Sequence, residues 1–454
     1  MPGILIATCV CRRVPVEHFG RNNFLACLPS SRRNSFVMHD LLNDPAASNE
    51  VCLPSSTSTL YNLETLILRG CQQLVELPSW INKLINLRYV DISGTWFLMK
   101  MPRGMGDLVK LEILPKFIVG ADSGPTHKEL KDLQFLLEEL TIHSLHEVAE
   151  VGDARDSALN AKPGLTSLIL IWALDEGPAN TTDVTSQTQV LDCLQPHIKI
   201  KNLEIDGYRE KQTLPSLGLL PLLKEVTVQG MDAGCADGSE LYGNTMKSFP
   251  FLETLAFVDM YTWERWSFST GSMQGNGPFP QLRELSLHNC PKLIIEGWPS
   301  QFPTLVNLAI VSCPLLETPI VIVSLPSLED GHFGDCDGRI LREEPPNDKQ
   351  SYGTSLKALR IRHWSKVMSL PYGMTMTYNL LELEIQNCPS LTSFSGAKLP
   401  CSLRILEVQN CQKLQRLPEG IETAPRSNRD DYSSKSSNGG DSSAMRVSLL
   451  CFKS

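Results

Sequence analysis

Two stretches in the last quarter of the chain decide the fold: LEIQNCPSLTSF (383–394) and LEVQNCQKLQRLP (406–418). If the Cys of each stretch is taken as the reference, here called the turn position, apolar residues stand at positions −8, −5 and −3 in both. These residues are Leu380, Leu383 and Ile385 before Cys388, and Leu403, Leu406 and Val408 before Cys411. The two stretches are therefore copies of one repeated unit.

The same frame recurs along most of the chain. In the regular stretches the turn positions recur with a period of about 23–24, which is typical of a leucine-rich repeat. Positions −5 and −3 share one face of a strand, and a single unit cannot bury them without stacked neighbours. We expect an α/β fold, a leucine-rich repeat solenoid curved into a horseshoe, with one parallel strand in each of about 13–14 irregular repeats. The other turn positions are Cys71, Thr95, Leu145, Ala173, Tyr208, Met231, Met260, Cys290, Cys313, Cys336 and Trp364, with one further unit around 111–119.

The recurring cysteines allow three interpretations: metal ligands, disulfide halves, or turn residues. The chain has 14 Cys but no C-x-x-C pair and no Cys/His spacing typical of a metal site. Single Cys residues on successive coils form a ladder, where a thiol can donate weakly to a carbonyl of its own or the next turn. The pattern favours the structural ladder, so we expect no metal site.

Composition limits the classes of partner. The chain has 454 residues, a net charge of −9 and a pI near 5.6, which argues against a general nucleic-acid binder. It contains no apolar run long enough to span a bilayer, so we expect no membrane partner. The first residues lack the basic segment of a signal peptide, and an intracellular, cytoplasmic location is expected.

Three segments are predicted along the chain. The repeats occupy 53–420, and the polar insertion 175–189 is expected to form a loop outside the stack. Residues 421–454 form a Ser-rich tail with few apolar groups, and such a composition predicts disorder. Residues 1–50 precede the repeats and carry no repeat frame.

Several motifs carry a family resemblance. After the turn position the chain runs C-x-x-L-x-x-L-P, as in LILRGCQQLVELPSWINKLINLRYVDISGT (66–95). LPKFIVG (114–120), FPFLETLAFVDMYTWERW (249–266) and FVMHDLLND (36–44) occur beside it. This combination resembles the plant intracellular coiled-coil nucleotide-binding leucine-rich-repeat (NB-LRR) disease-resistance proteins. The resemblance implies that residues 1–50 are a degenerate remnant of the end of a nucleotide-binding (winged-helix/MHD) module.

The resemblance also bears on cofactors. Full-length family members bind ADP or ATP through a P-loop, and the His of their MHD motif touches the nucleotide phosphate. His39 would inherit that role. The sequence contains no G-x-x-x-x-G-K-[ST], however, and only positions 1–37 precede Met38. The chain therefore resembles a truncated member of the family, and no cofactor is expected.

Partner contacts are expected at positions −4 and −2, which point outward on the concave face of such an array. On three adjacent repeats these positions are Arg360 and Arg362, Glu384 and Gln386, and Glu407 and Gln409. The first residue of each pair should line up across parallel strands. The alternative is an ordinary solvated surface with weak ion pairs.

Two functions follow from these expectations. The first is a recognition or regulatory module of plant innate immunity that binds a pathogen effector, a host guardee or a full-length receptor. The second is a structural or adaptor scaffold, or a non-functional truncated product. No His lies near a nucleophile or carboxylate in a catalytic pattern, so the chain is not expected to be an enzyme.

Overall fold

The computed structural model describes most of the repeat region and short pieces of the two ends. The described strands and turns fall into two compact units, residues 1–207 and 208–454. The described residues are 3–6, 34–37, 58–120, 124–148, 151–172, 184–208, 215–231, 239–243, 248–268, 278–296, 302–316, 325–336, 355–370, 379–394, 399–400, 402–414 and 444–448.

The first unit is built from parallel strands. One set has the spatial order β2-β1-β3-β4, and β5 to β8 pair with one another in chain order. The strands are β1 (Gly3–Ile6), β2 (Asn34–Val37), β3 (Leu63–Ile67), β4 (Tyr89–Asp91), β5 (Lys116–Ile118), β6 (Glu138–His143), β7 (Leu165–Ile171) and β8 (Asn202–Asp206).

Short helices close the coils of the first unit. The α-helices are α1 (Val151–Asp156) and α2 (Val184–Cys193), and the 3-10 helices are Ser79–Lys83, Met105–Asp107, His127–Asp132, Leu145–Glu147 and Leu159–Ala161. Helix α2 corrects part of the loop expected over 175–189: residues 184–189 are helical, and the helix continues through Val190 and Leu191, which are buried. Those apolar groups give the inserted segment an anchor in the core. Residues 175–183 lie outside the described residues.

In the second unit, eight parallel strands run in chain order from β9 to β18, and β19 pairs antiparallel to β18. Two further strands, β11 and β13, pair separately. The 3-10 helices are Leu217–Leu219 and Ser239–Tyr242. The strands are β9 (Glu225–Gln229), β10 (Thr254–Val258), β11 (Arg265–Ser267), β12 (Glu284–His288), β13 (Ile294–Glu296), β14 (Asn307–Val311), β15 (Asp330–Gly334), β16 (Ala358–Arg362), β17 (Glu382–Gln386), β18 (Ile405–Gln409) and β19 (Ala444–Ser448).

The repeat frame explains where each strand lies and which side chains it buries. In β17, Leu383 and Ile385 are buried, whereas Glu384 and Gln386 face outward. After the turn position the chain turns back at once, and the amide of Leu391 donates to the carbonyl of Cys388. Leu391 is itself buried, which accounts for the C-x-x-L spacing. Each such coil therefore adds the buried residues of its strand, and the buried leucine that follows its turn position, to the core of its unit.

The predicted fold class is confirmed: the chain is an α/β leucine-rich repeat solenoid. Among the described residues, fourteen coils between Leu63 and Gln409 carry a parallel strand. One of these strands, β5, lies in the further repeat expected around 111–119. The segment boundaries at 50, 53 and 420 stay predictions. Strands β1 and β2 fall within 1–50, and β19 falls within 421–454.

Candidate partner-binding surface

The six residues expected to contact a partner lie on three neighbouring strands. Strand register places Arg360 beside Glu384, and Glu384 beside Glu407. Arg362, Gln386 and Gln409 form the parallel row two positions further along. The expected alignment across the strands is therefore confirmed. We call these six residues the charged outward patch.

Ion pairs connect the patch to one residue that the sequence prediction missed. Both carboxylate oxygens of Asp330, at position −6 of its repeat, accept from Arg360 Nη1 at 2.6 and 2.7 Å. Arg360 Nε also lies 3.8 Å from a carboxylate oxygen of Glu384. The hydrogen bond to Asp330, together with the negative charges of Glu384 and Glu382, raises the pKa of Arg360. The sequence holds no direct signal for this pair, because the spacing between the turn positions of the two repeats, Cys336 and Trp364, is irregular.

Glu384 is the centre of the patch. Its Oε1 accepts from Arg362 Nε at 2.9 Å and lies 2.7 Å from Arg362 Nη2. The Glu384 side chain is 18 % exposed, whereas those of Arg360 and Arg362 are 34 % and 38 % exposed. On the next strand, the amide of Gln409 donates to the carboxylate of Glu407. The patch thus carries charges of both signs, with two arginines on β16 facing Glu384 on β17 and with Glu407 beyond it on β18.

Two histidines occupy the outward face on earlier strands of the same unit. His332 on β15 stands directly beside Arg360 in the register, and His288 lies on β12. Burial lowers the pKa of both, and for His332 the nearby Arg362 and Arg360 lower it further. Both imidazoles are therefore expected to be neutral at pH 7. They extend the face with polar but uncharged groups.

A second row follows the outward face, at the position just before the turn position. The backbone there is left-handed in most coils, with φ between 46° and 73°. Gly, Asn, Asp and Ser fill most of these positions, and this residue preference is a sequence signal of the left-handed backbone, separate from the leucine frame. The residues are Gly70, Gly94, Ser144, Gly207, Gly230, Asp259, Asn289, Ser312, Asp335, His363, Asn387 and Asn410.

Side chains of this left-handed row also bond from coil to coil. The Asn387 amide nitrogen lies 3.0 Å from His363 Nε2, and the Asn410 amide donates to Asn387 Oδ1 at 2.8 Å. The Asn289 amide donates to Asp259 Oδ1 at 2.6 Å. Side-chain hydrogen bonds therefore link neighbouring coils along the edge of the outward face.

The cysteines at the turn positions donate to backbone carbonyls. Cys336 Sγ lies 3.0 Å from the Gly334 carbonyl oxygen and 3.4 Å from that of Ile310. The acceptors belong to the residue's own turn and the preceding one, which corrects the expectation of its own or the next turn. Burial raises the pKa of Cys336 to about 12. Cys388 bonds in the same way to the Gln386 carbonyl at 3.3 Å.

The remaining candidates from the sequence are a metal site, a nucleotide contact and a membrane span. The cysteines of the described segments are free thiols, and the same segments contain no group of three or more His, Cys, Asp or Glu arranged to hold a metal ion. His39, expected to inherit the nucleotide contact, lies outside the described residues. In the part of the chain that the structure describes, no helix is long and apolar enough to cross a membrane.

Comparisons with known proteins agree with the repeat frame. The family described as R13L1/DRL21 LRRs matches residues 127–260. The chain is 31 % identical over 346 residues to a putative disease resistance RPP13-like protein 1 of Arabidopsis thaliana, covering 67 % of this chain and 30 % of that protein. It is 36 % identical over 297 residues to a second putative disease resistance protein of Arabidopsis thaliana, covering 58 % and 20 %.

A solved internalin from Listeria monocytogenes has a TM-score of 0.39 and 15 % identity, covering 70 % of this chain and 83 % of that one. A putative disease resistance protein RGA1 of Solanum bulbocastanum is 28 % identical, covering 59 % of this chain and 28 % of that protein. The chain thus spans less than a third of the length of these plant relatives. The resemblance read from the motifs is confirmed: the chain carries a leucine-rich repeat region of the plant NB-LRR disease-resistance type.

Proposed function

We propose that this chain is the recognition or regulatory repeat module of a plant innate immune protein, and that it binds a protein partner through the charged outward patch. The partner is a pathogen effector, a host guardee or a full-length receptor. The module acts in the cytoplasm without catalysis and without a bound nucleotide. The observation that carries the proposal is the partly exposed network of Arg360, Arg362 and Glu384 beside the amides of Gln386 and Gln409.

The chemistry of the patch suits selective binding. A surface with charges of both signs gives specificity and orientation rather than raw affinity, because a partner with the wrong charge order meets like charges. A guanidinium has five N–H donors, so Arg362 keeps donors for a partner while it bonds Glu384. The side chains are already ordered by one another, which reduces the entropy lost on binding.

The test compares two charge reversals in the same unit. Arg362→Glu breaks the pair with Glu384 on the outward face. Lys224→Glu breaks a matched pair with Glu253 (2.6 Å, side chains 48 % and 37 % exposed) that lies outside the strands. Both tagged variants are expressed in plant tissue, and proteins that co-precipitate with them are quantified by mass spectrometry.

We expect Arg362→Glu to lose at least one partner tenfold or more, while Lys224→Glu retains it. Both variants should keep the cooperative melt of the unaltered chain in far-UV circular dichroism. If the two variants precipitate the same proteins, the recognition role is wrong and the scaffold role takes its place. Calorimetry with ADP and ATP should give no heat of binding.

A further inference from the structure

The outward face of the first unit differs from the charged outward patch, because isoleucines occupy its centre. Strand β7 turns Ile169 and Ile171 away from the core, where both stay partly exposed. The core positions of the same strand hold Leu168 and Leu170, which are buried. A strand with aliphatic groups on both faces is typical of a sheet that is covered on both sides.

Charged groups stand on both sides of these isoleucines. One row crosses four neighbouring strands and reads Lys116, Thr141, Ile169 and Glu204. Since adjacent strands lie about 4.8 Å apart, Lys116 and Glu204 are about 14 Å apart and cannot pair. Asp206 is beside Ile171, in the next row. Glu139 also faces outward, on β6 beside Ser167, so carboxylates lie on both sides of the isoleucines and Lys116 lies beyond them on β5.

The three outward carboxylates, Glu204 and Asp206 on β8 and Glu139 on β6, repel one another. Burial and the nearby carboxylates of Asp206 and Glu139 raise the pKa of Glu204. On the β5 side, burial lowers the pKa of Lys116, and burial together with Lys116 lowers the pKa of His143 to about 4. Like charges held together at a partly buried surface are stabilised by an incoming group of opposite charge.

We infer that the outward face formed by Ile169, Ile171, Glu204 and Asp206 is a second partner-binding surface, which takes a protein segment with an aliphatic or aromatic side chain next to a lysine or arginine. The apolar side chain covers the two isoleucines, and the basic group reaches the carboxylates of β8. This surface is chemically distinct from the charged outward patch, so it goes beyond the proposed function.

Burial of apolar surface supplies most of the binding free energy of this contact, and charge determines which protein segments bind. Covering apolar surface contributes roughly 25 cal/mol per Å², whereas exposed ion pairs contribute little. An acidic segment would place like charges on Glu204 and Asp206 and would be rejected. The four residues therefore define a preference that a random library can reveal.

The experiment uses a display library of random peptides, panned on the whole purified chain. Panning is repeated on Ile169→Ser and on Glu204→Lys. It is also repeated on Arg362→Glu, which disrupts the charged outward patch, and on Lys224→Glu, a charge-reversal control outside the strands. Melting curves establish that each variant is folded. Ile171→Thr replaces Ile169→Ser if the latter loses its cooperative melt.

We expect enriched peptides that combine an apolar residue with an adjacent lysine or arginine. Their binding should fall at least tenfold with Ile169→Ser and with Glu204→Lys, and should be unchanged with Lys224→Glu. The inference is overturned if no enriched peptide depends on Ile169, or if the dependent peptides are acidic. Loss with Arg362→Glu alone would instead support the charged outward patch, so the two proposals fail separately.

Discussion

At the residue scale, the end of each strand is set by two neighbouring positions. The residue before the turn position takes a left-handed backbone in most coils, and the turn position itself points into the core. Asn387 and Cys388 show both features: Asn387 has φ of 53°, and Cys388 is 2 % exposed. Small polar residues suit the first position because most side chains clash in that conformation.

Replacing Asn387 separates backbone strain from lost hydrogen bonds. Asn387→Val should lower the free energy of unfolding by about 1–3 kcal/mol, since a β-branched residue is strained at this φ. Asn387→Gly keeps the backbone and loses only the contacts with His363 and Asn410, so it should cost less than about 1 kcal/mol. Urea denaturation of both variants measures the difference. Equal losses would show that the side-chain bonds, not the backbone, determine the residue type.

Replacing Cys388 tests the thiol as a turn residue. Cys388→Ser retains a donor for the Gln386 carbonyl but buries a more polar group, so we expect a loss of about 1–2 kcal/mol. The unfolding midpoint should not depend on added chelator in either protein. A larger loss that chelator reproduces in the unaltered chain would reveal a metal ligand instead.

At the element scale, the coil that contains β11 is packed by aromatic rings, whereas regular coils are packed by leucines. Around β11, the motif FPFLETLAFVDMYTWERW (249–266) supplies a cluster of buried aromatic rings. The rings of Trp263 and Trp266 lie 5.4 Å apart, and the Trp266 indole donates to the Tyr242 hydroxyl at 3.1 Å. This cluster fills the interior beside the turn at Met260 with closely packed rings.

Removing the centre of that cluster should be costly. Trp266→Ala should destabilise the chain by about 3–5 kcal/mol, because Trp266 is fully buried and leaves a large cavity. Phe97→Ala is the control, since Phe97 is 63 % exposed, and it should change stability by less than about 0.5 kcal/mol. Thermal melts of both variants provide the measurement. A small effect of Trp266→Ala would mean that the aromatic motif does not support the coil.

At the scale of the whole molecule, stability depends on pH through buried histidines. His127 is 1 % exposed at the start of a 3-10 helix, and burial lowers its pKa to about 4. The unfolded chain, with an ordinary pKa near 6.5, binds more protons between these two values. Stability therefore falls as the pH drops from about 6.5 to 4.

The His127 contribution can be isolated by substitution. Acidification from pH 7 to pH 5 should lower the stability of the unaltered chain by about 2 kcal/mol through this one group. His127→Asn should have a smaller loss over the same interval, because it removes the group that takes up the proton on unfolding. Denaturation curves at the two pH values are compared. An unchanged pH dependence in His127→Asn would contradict this assignment.

The sequence by itself determined the repeat period, the buried positions, the strand of each coil and the alignment of Arg360, Glu384 and Glu407. Those features depend on residues at short, regular spacing, and the repeat period records them directly. Helix α2 was missed because its anchoring residues lie at the end of a polar insertion. Only the tertiary structure decided the pairing of Arg360 with Asp330 and the position of Ile169 between Lys116 and Glu204. Both features involve side chains on coils of unequal length. The stacking of the coils determines which of these side chains are neighbours, and their distance along the chain does not.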